Sequence, residues 1–201
     1  IMGVIVIDQI PLVGEALWIN LVNTRFISNG VIVDVLKDKT STMKWLLKNN
    51  LINNHDLELL NITDKNIVNL KLRKLREICF STIQSIENEE CIPEDTVSDL
   101  MEFSKDLNVK VTINKHDGVI SENIIGVTLN DHILYKIVKS MLQTFDTISI
   151  TRIRKCKNDE CILHFVDKSK GGKRKWCDME TCGNRVKAAS FYKRKRENTR
   201  K

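Results

Sequence analysis

The clearest hydrophobic pattern in the chain lies between residues 64 and 89. Apolar side chains recur there every three or four residues, which is the spacing of one face of an α-helix. Asp64 is the expected N-cap because its side chain can accept a hydrogen bond from the first turn. The pattern therefore predicts a long amphipathic helix whose buried face holds Ile67, Leu70, Leu75, Ile78, Cys79, Ile83 and Ile86.

Weaker patterns predict three further helices. Residues 36–53 offer Thr40 or Ser41 as an N-cap and an apolar face at Met43, Leu46 and Leu47. A second helix is expected after Pro93, and a third over residues 131–146. The segment LWINLVNT is apolar enough for a helix or a strand, and a turn at Ser28-Asn29-Gly30 should lead from it into a short extended piece.

Residues 109–129 show the alternating pattern of β-strands instead of helical spacing. Val, Ile and Thr dominate, apolar and polar positions alternate, and Asp117-Gly118 is a typical hairpin turn. The chain as a whole thus predicts an α+β fold, with a mainly helical N-terminal domain that includes a small antiparallel β element.

Composition narrows the class of protein. A hydrophobic fraction of 42% with two prolines and eight glycines is typical of a folded chain. No apolar run reaches the ~20 residues that a transmembrane helix needs, so no membrane partner is expected. The N-terminal residues lack a basic leader and carry Asp8, so a signal peptide is not expected either. We therefore expect a cytoplasmic protein with reduced thiols.

Charge divides the chain near residue 150. Residues 152–201 hold 17 Lys+Arg against 6 Asp+Glu, a net charge of +11, whereas residues 1–151 hold 15 against 20, a net charge of −5. We infer two domains, 1–150 and 151–201. A basic field concentrated in one of them favours a polyanionic partner.

Four cysteines in the basic domain have the spacing of a metal site. Cys156 and Cys161 are separated by four residues, as are Cys177 and Cys182, with fifteen residues between the pairs. Four thiolates complete a tetrahedral zinc shell without an open position, so one structural Zn²⁺ is expected rather than a catalytic ion. The alternatives are four unrelated buried cysteines, or His164 in place of one sulfur.

A basic helix should follow the second cysteine pair, capped by Asp178 and beginning at Met179. Helical spacing places Val186, Ala189 and the stem of Lys193 on the side of Cys182, so this face is expected to pack on the zinc site. The remaining polar side chains and the preceding loop could bind duplex DNA through phosphates and base edges. The candidate DNA-binding residues are Lys173, Arg174, Asn184, Arg185, Lys187, Lys193, Arg194, Lys195 and Arg196.

Five other interpretations of this segment remain open. The helix could be a solvated face that aids solubility, and Asn184 and Arg185 could brace the finger internally. Some of the basic side chains could also offset the negative charge of a four-thiolate zinc site. Phe191 and Tyr192 beside cations could stack on unpaired RNA bases, or the helix could meet an acidic protein surface.

The N-terminal domain shows no spacing typical of a catalytic site. His55, His116 and His132 stand apart, and neither a nucleophile elbow nor a phosphate-binding loop is present. We therefore do not expect an enzyme. Cys79, Trp18 and Trp45 are expected in the core.

The last 50 residues resemble the CGNR zinc-finger family. The residues that carry the resemblance are Cys156, Cys161, Phe165, Asp167, Ser169, Arg174, Trp176, Cys177, Met179, Cys182, Gly183, Asn184, Arg185 and Lys187. His164 stands where that family usually has an aliphatic residue. The N-terminal part resembles, more loosely, the ABATE domain that often precedes this finger, through LVNT at 21–24, Asp34-Val35-Leu36, Trp45-Leu46 and LRKLRE at 72–77.

The resemblance implies a stress-response transcription regulator with a treble-clef or ribbon-like finger that binds DNA. The N-terminal domain would then sense a small-molecule effector or form a homodimer. The family-like residues Asn23, Thr24, Arg25, Asp34, Trp45, Arg73 and Arg76 would bind the effector, unless they serve as caps and ion pairs.

Overall fold

The computed structural model describes residues 10–59, 62–89 and 91–198. Its helices are α1 Leu17–Val22, α2 Lys39–Lys48, α3 Asn54–Leu59, α4 Ile62–Glu89, α5 Glu94–Ser104, α6 Leu129–Thr147 and α7 Asn184–Asn198. Its strands form three antiparallel pairs, which are β1 Arg25–Ser28 with β2 Val31–Asp34, β3 Val109–His116 with β4 Val119–Gly126, and β5 Ile153–Lys155 with β6 His164–Val166. The predicted α+β fold is confirmed, and the segment LWINLVNT forms α1 up to Val22 rather than a strand.

The core lies between α1, α4 and α6, which pack on one another. Trp18, Trp45 and Cys79 are fully buried in it, as the sequence predicts. Burial raises the pKa of the Cys79 thiol to about 12, so this cysteine behaves as a small apolar side chain. No helix among the described residues is long and apolar enough to cross a membrane.

Helix α4 confirms the long predicted helix but begins earlier and faces the core differently. It starts at Ile62, so Asp64 lies inside it and cannot be its N-cap. Leu70 is 70% exposed and Ile67 is 41% exposed, whereas Val68 and Leu72 are fully buried. The packing against α1 and α6 selects the stripe through Val68, Leu72, Leu75 and Cys79, and the two exposed residues lie outside it.

Caps fix the ends of three helical segments. Asp38, not Thr40 or Ser41, caps α2 by accepting a hydrogen bond from the Ser41 amide at 2.8 Å. Thr128 and Asp131 form a reciprocal capping box at the start of α6. Asp178 accepts a hydrogen bond from the Thr181 amide at the start of a π-helical turn, Met179–Gly183, that leads into α7. The cap at Asp178 is therefore confirmed.

Two hairpin turns require left-handed backbone. Asp117 and Gly118 have φ values of 48° and 80° between β3 and β4, and Asn29 and Gly30 have 50° and 76° between β1 and β2. Both turns therefore match the Asn-Gly and Asp-Gly preference of tight hairpins. The turn at Asp117-Gly118 is confirmed, and the predicted turn near Gly30 closes a hairpin rather than leading from a helix to a single strand.

The β5–β6 hairpin packs directly on the helical part of the chain. Asn23, at the C-terminal end of α1, donates through Nδ2 to the His164 carbonyl at 2.8 Å and accepts from the His164 amide at 2.9 Å. The Val166 amide donates to the Gly14 carbonyl at 3.0 Å, and Phe165 is fully buried. Strand β6 therefore pairs with β5 of the C-terminal segment and also makes hydrogen bonds to the N-terminal part.

Helix α7 corrects a prediction about packing. None of its residues is buried, and Val186 is the one that is half-buried among otherwise exposed positions. The expected inward face through Val186, Ala189 and Lys193 therefore does not pack on the zinc site. Two apolar side chains spaced three residues apart in a strongly charged helix offer too little area to hold it against the protein.

Candidate zinc centre and basic surfaces

The four predicted ligands converge on one point. The Sγ atoms of Cys156, Cys161, Cys177 and Cys182 all lie within 4.8 Å of one another. The Sγ atom of Cys177 lies 3.8 Å from that of Cys161 and 3.7 Å from that of Cys182. A tetrahedral zinc ion with Zn–S bonds of ~2.3 Å separates its sulfurs by about 3.8 Å. The donor set thus fits one structural Zn²⁺, and the separations are too long for disulfides.

Two different local structures supply the sulfurs. Cys156 and Cys161 bracket the tight turn between β5 and β6, and the Cys156 amide donates to the Leu163 carbonyl at 2.9 Å. Cys177 and Cys182 flank the turn capped by Asp178, which enters α7. A hairpin pair combined with a helix-start pair favours the treble-clef alternative over a ribbon built from two hairpins.

The four thiols lie close enough to change one another's pKa values. Hydrogen bonding with Cys177 lowers the pKa of Cys161 to about 5, and the same contact raises the pKa of Cys177. The side-chain amide of Asn158 donates a hydrogen bond through Nδ2 to the Cys182 sulfur at 3.4 Å. Hydrogen-bond donors beside a metal site orient its thiolate ligands. The sequence pattern does not identify Asn158 as such a donor.

Asp167 organises the loop between the cysteine pairs. Its carboxylate is fully buried and accepts from the Ser169 amide and hydroxyl at 3.0 and 2.6 Å, and from the Arg174 amide at 3.0 Å. Arg154 adds an ion pair at 3.2 Å. Burial acts to raise the pKa of Asp167, but these hydrogen bonds outweigh it and hold the pKa below its usual value. Asp167 therefore stays ionised and fixes the loop.

Arg174 is held within the protein by several contacts. Its guanidinium lies 4.5 Å from the centre of the Phe165 ring, pairs with Glu15 at 3.0 Å, and donates to the carbonyls of Trp176 and Cys177. These contacts connect the zinc turn to the N-terminal residues. The DNA-binding role predicted for Arg174 stays a prediction, and the structure gives this residue an internal role as well.

The other predicted DNA-binding residues are exposed. Lys173 lies in the loop before the second cysteine pair, and the rest lie along α7. Arg185 approaches Glu160 with Nη1 and Oε2 4.0 Å apart, which is a weak surface contact. Helix α7 presents six cations and one acid to solvent, namely Arg185, Lys187, Lys193, Arg194, Lys195, Arg196 and Glu197.

A second basic surface lies beside the zinc site. We call it the basic groove. Its volume is about 750 Å³, and Glu87 is its one acidic lining residue. Among the described residues, the ammonium groups of Lys155, Lys157, Lys173 and Lys175 have no hydrogen bond or ion pair within 4.0 Å. The charges of Lys155 and Lys157 are near enough to Glu87 to help lower the pKa of that carboxyl. The lining residues are Glu87, Ile153, Arg154, Lys155, Cys156, Lys157, Gly172, Lys173, Arg174 and Lys175. The DNA-binding set predicted from sequence does not include Lys155, Lys157 or Lys175, although their charge is evident in the sequence.

The residues predicted to bind an effector are mostly engaged with one another. Arg76 is 1% exposed and binds Asp34 through two hydrogen bonds of 2.6 and 2.9 Å, and it donates to the Thr24 hydroxyl at 2.8 Å. Arg25 adds an ion pair to Asp34 at 3.2 Å. This buried cluster joins β1, β2 and α4.

The remaining members of that set lie elsewhere. Asn23 binds His164, Trp45 is buried in the core, and Arg73 is exposed on α4. Binding of an effector by these residues stays a prediction. The caps and ion pairs weighed as the alternative role are present at Asn23, Thr24, Arg25, Asp34 and Arg76.

Burial acts to raise the pKa of Asp34, but the ion pair with Arg76 and the bonds from Arg25 and the Leu36 amide hold it below its usual value of 3.8. A lowered folded-state pKa means that the carboxylate stabilises the protein fully above about pH 4. That contribution is lost as the pH falls through the folded-state pKa.

Comparisons with known proteins identify the C-terminal module. Residues 152–195 match the model of the CGNR zinc finger. This match confirms the resemblance for the finger and agrees with the zinc-binding geometry. The resemblance of the N-terminal part to the ABATE domain stays a prediction. No match was found among curated proteins.

Proposed function

We propose that this chain is a cytoplasmic, zinc-dependent regulator of transcription that binds duplex DNA through its C-terminal finger. The observation that carries the proposal is helix α7, which projects from the zinc turn with six cations, one acid and no buried residue. A helix of this kind gains little from the rest of its own chain. It fits a major groove, where phosphates surround it on both sides.

The basic groove supports the same partner. Four lysines, with Glu87 as the one acid among the lining residues, border a cleft about 750 Å³ in volume on the same zinc module. Regularly spaced phosphates would neutralise these charges and release counterions, which is the main source of affinity in many DNA complexes. We propose that phosphates contact both α7 and the basic groove.

The first experiment is selection from a random duplex library. Zinc-loaded full-length protein is incubated with the library at physiological salt, and bound molecules are recovered over several rounds and sequenced. Enrichment of one motif supports a sequence-specific regulator, and a palindromic motif supports a homodimer as well. Recovery of nothing above a protein-free control would refute DNA binding.

Charge variants test which surface binds. Changing Lys193, Arg194, Lys195 and Arg196 together to Gln should weaken binding to all duplex sequences alike and flatten the dependence of affinity on salt. The matched control changes four exposed lysines of the N-terminal part, Lys37, Lys39, Lys110 and Lys115, to Gln. Equal loss of affinity in both variants would show that only net charge matters.

RNA binding is a second candidate that one observation favours. Phe191 and Tyr192 are 57% and 64% exposed, with ring centres 5.8 Å apart, in the middle of the basic helix. Exposed aromatic rings beside cations can stack on unpaired bases. Competition between a duplex DNA and a single-stranded RNA of equal length separates the two candidates, and Phe191→Ala should weaken only the RNA complex.

A homodimer belongs to the same proposal. The β3–β4 hairpin carries Val111, Ile113 and Ile120 on one face, each at least 60% exposed. The hairpin contacts α6, and a second copy that covers its exposed apolar face would add support that a two-stranded sheet lacks. Val111→Lys with Ile113→Lys should lower the sedimentation coefficient if this face associates. Thr112→Lys with Asn114→Lys, on the opposite face, is the control.

A further inference from the structure

A second cavity lies at the junction of the helical part and the finger. We call it the junction pocket. It encloses about 260 Å³. The helical part lines one side with Val22, Arg25, Arg76, Phe80, Gln84 and Glu87, and the finger lines the other with Lys155, Ile162 and His164. Pockets that lie between structural units commonly hold small ligands.

The pocket has an apolar interior and a cationic rim. Val22, Phe80 and Ile162 supply its apolar walls, and the Phe80 and His164 rings meet edge to face with centres 6.4 Å apart. Arg25, Gln84 and Lys155 are exposed at its edge. This distribution suits a small molecule with an apolar body and one polar end.

Hydrogen-bond donors without acceptors line the polar side of the pocket. Among the described residues, the Lys155 ammonium and the Gln84 amide have no side-chain hydrogen bond, and the Arg76 Nε atom is buried without a hydrogen-bond acceptor. The acids near the pocket are already engaged. Glu87 pairs with His164 at 3.4 Å, and Asp34 and Glu77 pair with Arg25 and Arg76. The Lys155 ammonium and the Arg76 Nε can only donate hydrogen bonds, whereas the Gln84 amide can donate or accept. A ligand group that accepts hydrogen bonds therefore suits this end of the pocket.

We propose that the junction pocket binds a small organic carboxylate, with its apolar body against Phe80 and Ile162 and its carboxylate at Lys155. Lys155 also lines the basic groove, as does Glu87. A carboxylate at Lys155 therefore removes one cation from the surface that we propose for DNA. The ligand carboxylate and a DNA phosphate would compete for Lys155, so the ligand should weaken DNA binding. That second step rests on the proposed function, whereas the first does not.

The test of the pocket uses no DNA. Benzoate is titrated into zinc-loaded full-length protein and binding is followed by calorimetry and by the methyl signals of isoleucine in NMR spectra. A small carboxylate in a pocket of this size should bind with a Kd on the order of 1 mM. Benzamide has the same shape without the charge and should bind at least tenfold more weakly.

Variants locate the site. Lys155→Met keeps the apolar stem and should weaken benzoate binding about tenfold. Lys157→Met is the matched control, because Lys157 lies on the same module and lines the basic groove but not the junction pocket. The Ile162 methyl signal of the wild-type protein should shift with benzoate even if a variant fails to fold. No saturable binding, equal binding of benzamide, or shifts confined to isoleucines outside the pocket would overturn the proposal.

A separate measurement tests the regulatory step. Saturating benzoate should weaken binding to a duplex and lower the slope of log affinity against log salt by about 0.9, the value for one phosphate contact. If benzoate binds at the pocket and the duplex is held equally well, the pocket stands and its link to DNA fails. If no duplex binds at all, the proposed function fails while the calorimetric result keeps its meaning.

Discussion

At the scale of single residues, the pairing of Asp34 with Arg76 is the most consequential contact in the helical part. The two side chains are buried and joined by two hydrogen bonds, and Thr24 and Arg25 complete the cluster. A buried ion pair costs much desolvation energy, so removing one member harms the fold more than removing both. The cluster joins residues up to 52 positions apart in the sequence.

We expect Asp34→Asn to lower the free energy of unfolding by about 3–5 kcal/mol, because Arg76 would remain buried without a full counter-charge. The double variant Asp34→Asn with Arg76→Met should lose less than the sum of the losses in Asp34→Asn and Arg76→Met alone. Urea unfolding followed by circular dichroism measures each value.

The control for this prediction is the pair of Lys105 with Glu102, in which both side chains are 68% exposed. Lys105→Met should change the unfolding free energy by less than ~1 kcal/mol. Strictly additive losses at Asp34 and Arg76 would contradict a coupled buried pair.

Caps show how far sequence reasoning reaches at this scale. Asp178 was predictable because one cap-forming side chain precedes the helix start. Asp38, Thr40 and Ser41 are all good cap residues and lie within four positions of one another at the start of α2. The structure selects Asp38 because β2 and the 3-10 turn at Val35–Lys37 fix the position of the chain before the helix. Local propensity could not choose among them.

At the scale of elements, α7 is a helix without a supporting surface. Its charge, its position after the zinc turn and its N-terminal cap follow from the sequence. Its exposure does not, because a helical wheel assumes that an apolar side chain will find something to pack against. A 15-residue helix exposed on every side is of marginal stability in water, so its helicity depends on the intrinsic propensity of its residues.

We expect Ala189→Gly to weaken binding to duplex DNA about fivefold, since glycine lowers helix stability by about 1 kcal/mol and the bound form requires the helix. Ala189→Gln, which keeps helix propensity and adds no charge, should bind within twofold of the wild type. Filter binding at fixed salt gives both affinities, and hydrogen exchange of the α7 amides gives helix stability. Equal weakening by Gly and Gln would point to a direct contact at this position instead.

Helix α4 makes the converse point. Helical spacing over residues 64–89 predicted the helix, yet Ile67 and Leu70 are exposed. The sequence offers more apolar positions than one face can bury, and the arrangement of α1 and α6 decides which are used.

At the scale of the whole molecule, the zinc module and the helical part share a core. The zinc ligands and the charge boundary were predictable because they depend on residues close in sequence. The contact between Asn23 and His164 was not predictable, because it joins the Asn23 side chain to backbone atoms of a residue 141 positions away, and backbone atoms carry no sequence signal. The domain boundary near residue 150 stays a prediction, and the two parts it separates are in extensive contact.

Removal of zinc should therefore destabilise the entire chain. A chelator, or Cys177→Ser, should lower the melting temperature by about 10 °C or more, because the metal supplies much of the free energy that holds β5 and β6 in place. Differential scanning calorimetry should show one shifted transition. Cys91→Ser, at an exposed cysteine outside the zinc site, should leave the transition unchanged.

An unchanged transition for the helical part after zinc removal would contradict the shared core. In that case the helical part would keep its own melting temperature, and only the signals of the C-terminal module would be lost. Tryptophan fluorescence distinguishes the outcomes, because Trp18 and Trp45 lie in the helical core and Trp176 precedes Cys177 in the finger.

The placement of the six thiols has a practical consequence. Cys91 is exposed, four cysteines surround the zinc position, and Cys79 is completely buried beside Met141. An alkylating reagent should therefore modify the chain in three kinetic phases, first at Cys91, next at the four ligands as metal leaves, and last at Cys79 when the core opens. Mass spectrometry of one time course would read surface access, metal release and global unfolding from a single unlabelled sample.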